Sequence, residues 1–208
     1  LTWAEAGGYM LTYATVWRML FGFAPNNLKP GSNVLVWGGS GGLGAMAIQL
    51  VKLAGGNALA VTSSDKRGRK CIELGAVGYI NRKNFNCWGK LPSIDNKEDY
   101  KTYLIEVRKF GKAIWDVLGE KVNPDIVIDH IGSQTFPVSN YVVKPGGMVV
   151  FCGATSGFNM TFDASYTWMR QKRIQGSHFS SLYELHEANK LILEDKIKPA
   201  VSREYSWN

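Results

Sequence analysis

The chain has 208 residues, 45% apolar and 12% aromatic, with a formal net charge of +7. That length suits one core-bearing domain with flanking pieces rather than two full domains. No apolar run reaches the roughly 20 residues of a membrane span, and no low-complexity tract or secretion signal is evident, so a cytoplasmic protein without membrane partners is expected.

The positive charge has three readings. Nucleic acid would call for basic residues interleaved with exposed aromatics on one face. A phosphorylated small molecule would call for a few cations beside phosphate-cradling loops, and a merely basic surface is the third reading. Cys71, Cys87 and Cys152 are irregularly spaced and match no metal-ligand pattern, so reduced thiols and no metal are expected.

Residues 1–21, LTWAEAGGYMLTYATVWRMLF, read as one amphipathic helix, and 1–30 as an interdomain segment leading into the fold. Trp3 and Trp17 on it are expected to face a neighbouring domain. The chain opens on Leu1 rather than Met, and 201–208 look like the start of a strand returning to another domain. Both ends suggest a piece of a larger two-domain protein.

Between them, 31–200 alternate short apolar runs with helical stretches. Strands are predicted at Val34 to Trp37, Ala58 to Thr62, Val77 to Ile80, Asp125 to Asp129, Met148 to Cys152 and Ile174 to Gly176. Helices are predicted at Ala45 to Leu53, Lys66 to Leu74, Tyr100 to Leu118 and Thr135 to Val143. Runs apolar throughout, alternating with helices, indicate a parallel sheet covered on both faces. The fold class is therefore α/β, a doubly wound Rossmann-type sheet. Asn81 to Tyr100 is too long for an ordinary connection, and its Phe85 and Trp88 mark it as an insert that packs against the domain.

Gly39, Ser40, Gly41, Gly42, Leu43 and Gly44 match G-x-G-x-x-G between a strand and a helix. Gly39 is assigned the tight turn, Gly41 the close approach of a pyrophosphate, and Gly44 the packing of helix on sheet. Amide groups at the helix start, aided by the helix dipole, would face the phosphates. An NAD-specific domain ends its second strand with Asp or Glu for the ribose 2′-hydroxyl. Here Ser63 and Ser64 stand at that position, with Lys66 and Arg67 behind them and Arg82 after the third strand. Hydroxyls and cations suit a 2′-phosphate, so NADPH is the expected cofactor. Asp65 reads as the N-cap of the next helix, and plain helix-surface charge remains the alternative for Lys66 and Arg67.

Five strings, TYATVWRML, VWGGSGGLG, INRKNFNCWGKLP, EVRKFGKAIWD and WMRQKRIQGSHF, together resemble the crotonyl-CoA carboxylase/reductase branch of the medium-chain dehydrogenase/reductase superfamily. The last three are the more specific. The resemblance implies NADPH-dependent reduction of a short 2-enoyl-CoA: hydride adds at the β-carbon, and the α-carbon then takes CO2 or a proton. It implies nicotinamide contacts for Thr15 and for the loop Gly153, Ala154, Thr155, Ser156, Gly157, and a CO2-holding role for His178. Tyr166, Arg170, Lys172 and Arg173 would hold coenzyme A, with a solvated basic face as the alternative. The whole protein is expected to be a homo-oligomer that takes an enoyl-CoA and CO2 and binds no nucleic acid. His130, ending a strand, either lines the cofactor pocket or is a polar strand end held by backbone; His186 is expected to be exposed. Two positions depart from the branch: Asp129-His130-Ile131-Gly132 replaces a Glu-His-Pro-Gly string, and Ser165 precedes Tyr166 where arginine is usual. A non-carboxylating relative, such as the acrylyl-CoA reductase module of propionyl-CoA synthase, a quinone or alcohol reductase, and a non-catalytic nucleotide sensor are the competing readings.

Overall fold

The computed structural model describes residues 1–206. Six strands form one wholly parallel sheet: β1 (Asn33–Trp37), β2 (Asn57–Thr62), β3 (Gly78–Asn81), β4 (Ile126–Asp129), β5 (Met148–Phe151) and β6 (Arg173–Gly176), in the order β3-β2-β1-β4-β5-β6. This is the doubly wound order, and its direction reverses between β1 and β4, where such sheets open a crevice at the carboxyl ends of the strands. Each predicted strand is present, within a residue of its expected bounds.

The two-residue period of the strands divides the core. Val34, Val36, Ala58, Ala60, Ile126, Ile128, Met148 and Val150 face one layer, made by α2 (Met10–Phe21), α3 (Gly42–Leu53) and α8 (Leu182–Leu193). Leu35, Leu59, Val61, Val127 and Val149 face the other, built on α5 (Lys97–Leu118) and α6 (Phe136–Val142). A parallel sheet needs both covers because neither face is polar. The remaining helices are α1 (Trp3–Gly8), α4 (Asp65–Glu73) and α7 (Ala164–Trp168). Among the described residues no helix is long and apolar enough to cross a membrane.

The opening segment is two helices rather than one. A Thr2–Glu5 capping box starts α1, which buries nothing, and Tyr9 separates it from α2. Gly7 and Gly8 weaken the helix at that point, and the buried Tyr9 hydroxyl bonds Asn189 of α8. Trp3 is 94% exposed, as a domain-facing residue would be, but Trp17 packs onto the core beside Phe21. The insert packs as expected: Phe85 and Trp88 meet the Phe110 ring edge-on at 5.4 Å, and Trp88 meets Trp37 in the same way. Helix α5 starts three residues before the predicted Tyr100, because the Asn96 side chain caps it by accepting from the Asp99 amide. Residues 201–206 form neither helix nor strand. The rest of the expected returning strand, Trp207 and Asn208, lies outside the described residues.

Candidate dinucleotide and substrate site

The glycine loop turns at Gly38, not at Gly39. Gly38 has φ +60°, and a Cβ there would sit 2.8 Å from His130 Nε2. Gly39 serves close approach instead: a Cβ on it would lie 2.7 Å from the Ala60 Cβ and 3.1 Å from the Cys71 sulfur. Gly44 has no room either, since its Cβ would fall 2.5 Å from the Gly38 carbonyl oxygen. Gly41 is the N-cap of α3, exposed, with φ −82° and ψ 173°. Gly42 is exposed as well. A helix start that carries no side chain and no capping hydroxyl leaves its amides free for an anion.

A cleft of about 400 Å³ opens over this loop at the carboxyl ends of β1, β2 and β4. Ser40, Ser63, Arg67, Arg82 and Thr155 line it. The Arg67 guanidinium donates to the Ser63 hydroxyl at 2.8 Å, so the two form one pair at the end of β2, and Arg82 approaches from beyond β3. Among the described residues no carboxylate lines the cleft. The N-cap role read for Asp65 belongs to Ser64, and neither residue lines the cleft. The Ser64 hydroxyl accepts from the Arg67 amide as the N-cap of α4, and Asp65 is the first helical residue, accepting from the Asn81 side chain. Lys66 is exposed on α4 and outside the cleft lining. Ser156 of the 153–157 loop and Ile131 also line it, as do Trp37, Thr62 and Gln134, which the sequence does not single out. The available signal was position alone, since most of them end a strand or begin the loop after one.

A second, more apolar cleft of about 450 Å³ lies at the ends of β5 and β6. Phe151, Cys152, Gly153, Ala154, Met160 and His178 line it. The loop 153–157 is therefore the wall between the two clefts, with Gly153 and Ala154 on one side and Thr155 and Ser156 on the other. Burial pushes the Cys152 thiol up to about 11, with the Asp129 charge adding to it, so the sulfur stays protonated at neutral pH. His178 is exposed on the second cleft, its carbonyl accepting from Arg18 at 3.4 Å.

Other expectations are redirected by local bonds. Thr15 is buried and its hydroxyl donates to the Leu11 carbonyl inside α2, away from both clefts. Thr12, one turn earlier, is the α2 residue against the loop, 3.5 Å from a Cβ on Gly42. His130 bonds the Trp37 carbonyl through Nε2 at 3.0 Å and lies outside the lining, which favours the polar strand-end reading. Of the four residues expected to hold coenzyme A, two are occupied within the fold. The buried Lys172 ammonium donates to the Asn140 and Tyr141 carbonyls at the end of α6. Arg173 donates to the Phe23 and Ala24 carbonyls and to Gln175. Arg170 remains exposed, stacked over the Tyr166 ring at 4.9 Å, and Ser165 bonds Asp163. His186 is exposed, as expected.

Residues 42–194 match the family model described as zinc-binding dehydrogenase. A crotonyl-CoA carboxylase/reductase of Cereibacter sphaeroides is 55% identical over 100% of this chain and 48% of its own length. The structure of the crotonyl-CoA carboxylase/reductase AntE in complex with NADP superposes with a TM-score of 0.96 at 49% identity, covering 98% of this chain and 50% of that one. The 2-octenoyl-CoA carboxylase reductase CinF, in complex with NADP and 2-octenoyl-CoA, superposes with a TM-score of 0.84 at 38% identity, covering 96% of this chain and 43% of that one. The chain thus spans about half the length of the curated relatives it matches. The family description names zinc, but among the described residues no three His, Cys, Asp or Glu side chains converge. These residues do not fit a zinc site. By its family match and its fold the chain belongs to the zinc-binding dehydrogenase family, and within it is similar to crotonyl-CoA carboxylase/reductases.

Proposed function

We propose that this chain holds NADPH for the reduction of a short 2-enoyl-CoA, coupled to carboxylation that yields an alkylmalonyl-CoA. The observation that carries the cofactor is the cleft over the end of β2, lined by Ser63 and Arg67 and, from beyond β3, by Arg82, with no carboxylate among the described lining residues. Two guanidinium groups there suit a 2′-phosphate, whereas a 2′-hydroxyl would want an acidic acceptor. The free amides at the α3 start take the pyrophosphate, and Gly41 leaves room for its approach. Bound NADPH supplies a hydride, the chemistry that no side chain of the protein provides. The names of the relatives support the choice of acyl substrate.

The chain's own residues then orient and exclude. Phe151 and Met160 make the second cleft apolar, which limits water where a proton and CO2 would compete for the same carbon. His178 on that cleft can donate a hydrogen bond to a CO2 oxygen. Arg170, stacked on Tyr166, lies just before the amino end of β6 and lines neither cleft, so these clefts supply no support for its contact with coenzyme A.

Titration of the intact protein with both dinucleotides tests the reading. NADPH is expected to bind more tightly than NADH, and Arg67→Ala to weaken NADPH by about 1–3 kcal/mol while leaving NADH nearly unchanged. Equal losses for the two cofactors would overturn the assignment.

A further inference from the structure

The carboxylate of Asp129 is the most fully enclosed charge at the crevice. Asp129 ends β4 and has no exposed surface. Four donors converge on it: the amides of Ile131 at 2.9 Å and Gly132 at 3.1 Å, the Thr135 hydroxyl at 3.0 Å from both oxygens, and the Ser139 hydroxyl at 2.7 Å. Among the described residues no Lys, Arg or His pairs with it. An enclosed carboxylate held by neutral donors is tolerated only when its hydrogen bonds are well made, so these donors are fixed in place by the requirement to satisfy it.

Three of the four donors lead to a wall of the candidate site. The Ser139 hydroxyl also accepts from Trp37 Nε1 at 2.8 Å, and Trp37 both lines the cofactor cleft and precedes the turn at Gly38. The amides of Ile131 and Gly132 shape the loop after β4. That loop in turn carries the wall between the two clefts. The Ile131 carbonyl accepts from the Ser156 amide and hydroxyl, each at 2.7 Å, and the Ser133 amide donates to the Gly157 carbonyl at 3.1 Å. Gly132, at φ +92°, lets the two loops touch: a Cβ there would lie 2.7 Å from the Ala154 Cα. One side chain thus connects the strand before the glycine loop to the loop that separates the two clefts.

We propose that Asp129 is a positioning residue of the dinucleotide site, setting the spacing between the glycine turn and the 153–157 wall and so the placement of the bound cofactor's reactive end. The proposal rests on the reading of these clefts as an NADPH site. In the intact protein, Asp129→Asn keeps the shape and one accepting oxygen but turns the other into a donor facing donors. The Kd and KM for NADPH are expected to rise about tenfold and kcat to fall, because both cleft walls move. The preference for NADPH over NADH is expected to hold, since Ser63, Arg67 and Arg82 lie outside the network. Ser139→Ala leaves the amide and Thr135 donors in place but removes both the hydroxyl donor to the carboxylate and the arm to Trp37, with an expected loss of about threefold. Thermal unfolding is followed for both variants. A lowered Tm with Kd, KM and kcat unchanged would make Asp129 a structural residue only and overturn the proposal. If Asp129→Asn does not fold, Ser139→Ala decides, and an unchanged Kd overturns the proposal. Wild-type protein that binds no dinucleotide removes the cofactor reading and this assignment with it. Wild type that binds tightly beside an Asp129→Asn variant that binds equally well removes this assignment alone.

Discussion

Lys172 shows how a cation in a basic cluster can serve the fold instead of a ligand. Its ammonium is enclosed against the α6 C-terminus, where it satisfies the Asn140 and Tyr141 carbonyls. Burial pulls its pKa down to about 8, with the neighbouring Arg170 charge adding to the effect. In the unfolded chain the group returns to its ordinary value of 10.5. Between these two values the unfolded state binds more protons than the folded one, so stability rises with pH through that window. Below pH 8 both states are protonated and the cost of burying the charge is present in full. Lys172→Met is expected to remove a rise on the order of 2–3 kcal/mol between pH 8 and 10.5. Chemical denaturation of wild type and variant at three pH values checks it; parallel stability curves would mean that Lys172 stays solvated. The sequence places Arg170, Lys172 and Arg173 side by side but carries no record of which carbonyls stand within reach. The same limit explains Ser64 and Asp65. Both residue types cap helices well, and only the backbone path into α4 decides which of them sits at the cap. Residue types at strand ends were more informative, because the parallel sheet brings those ends to one edge whatever the loops do.

At the scale of elements, the alternation of apolar runs with helical stretches determined the architecture. A strand apolar on both faces has few ways to be buried, so its type and neighbours are legible. The insert between β3 and α5 was visible as surplus length, but its purpose was not. It supplies a roof of aromatic rings: Phe85 and Trp88 lie on Phe110, and the Trp88 indole donates to the Arg82 carbonyl at 3.1 Å. Arg82 is thereby tethered where it lines the cofactor cleft. Trp88→Ala is expected to cost about 2–4 kcal/mol of stability, toward the lower part of the range for buried tryptophans because the ring is half-buried. It is also expected to weaken NADPH binding through Arg82. Trp88→Phe keeps the ring contact and loses the hydrogen bond, so it should retain most of the stability and only part of the affinity. Calorimetry and cofactor titration on both variants separate the two effects; a Trp88→Phe variant with unchanged affinity would show that the tether to Arg82 is idle. The break at Tyr9 was hidden for a related reason. The apolar pattern runs unbroken through residues 1–21, and the two glycines matter only because the Tyr9 ring has a partner in α8.

Across the whole molecule, both clefts open on the carboxyl edge of the sheet and share the 153–157 wall, so a cofactor in one is placed against whatever occupies the other. His178 stands on the second cleft, on a segment bounded by Phe179 at φ +46° and tied to α2 by Arg18. Left-handed backbone at a non-glycine residue is strained and persists where neighbouring contacts impose it. Here the Arg18–Glu184 ion pair at 2.6 Å and the Ser181–Glu184 capping box fix the chain just beyond. These contacts hold the His178 backbone, from which the exposed imidazole can reach into the second cleft and donate to a CO2 oxygen. His178→Asn shortens the donor's reach and is expected to shift product from carboxylated toward simply reduced acyl-CoA. NADPH oxidation should change less, since the residue lies outside the dinucleotide cleft. Labelled bicarbonate given to the intact wild-type protein with crotonyl-CoA measures the partition directly. Label in the wild-type product and less of it in the variant supports the carboxylating reading. NADPH consumption with no label in the wild-type product would instead assign a plain enoyl-CoA reductase, with His178 lining a cleft that admits only the acyl group and a proton.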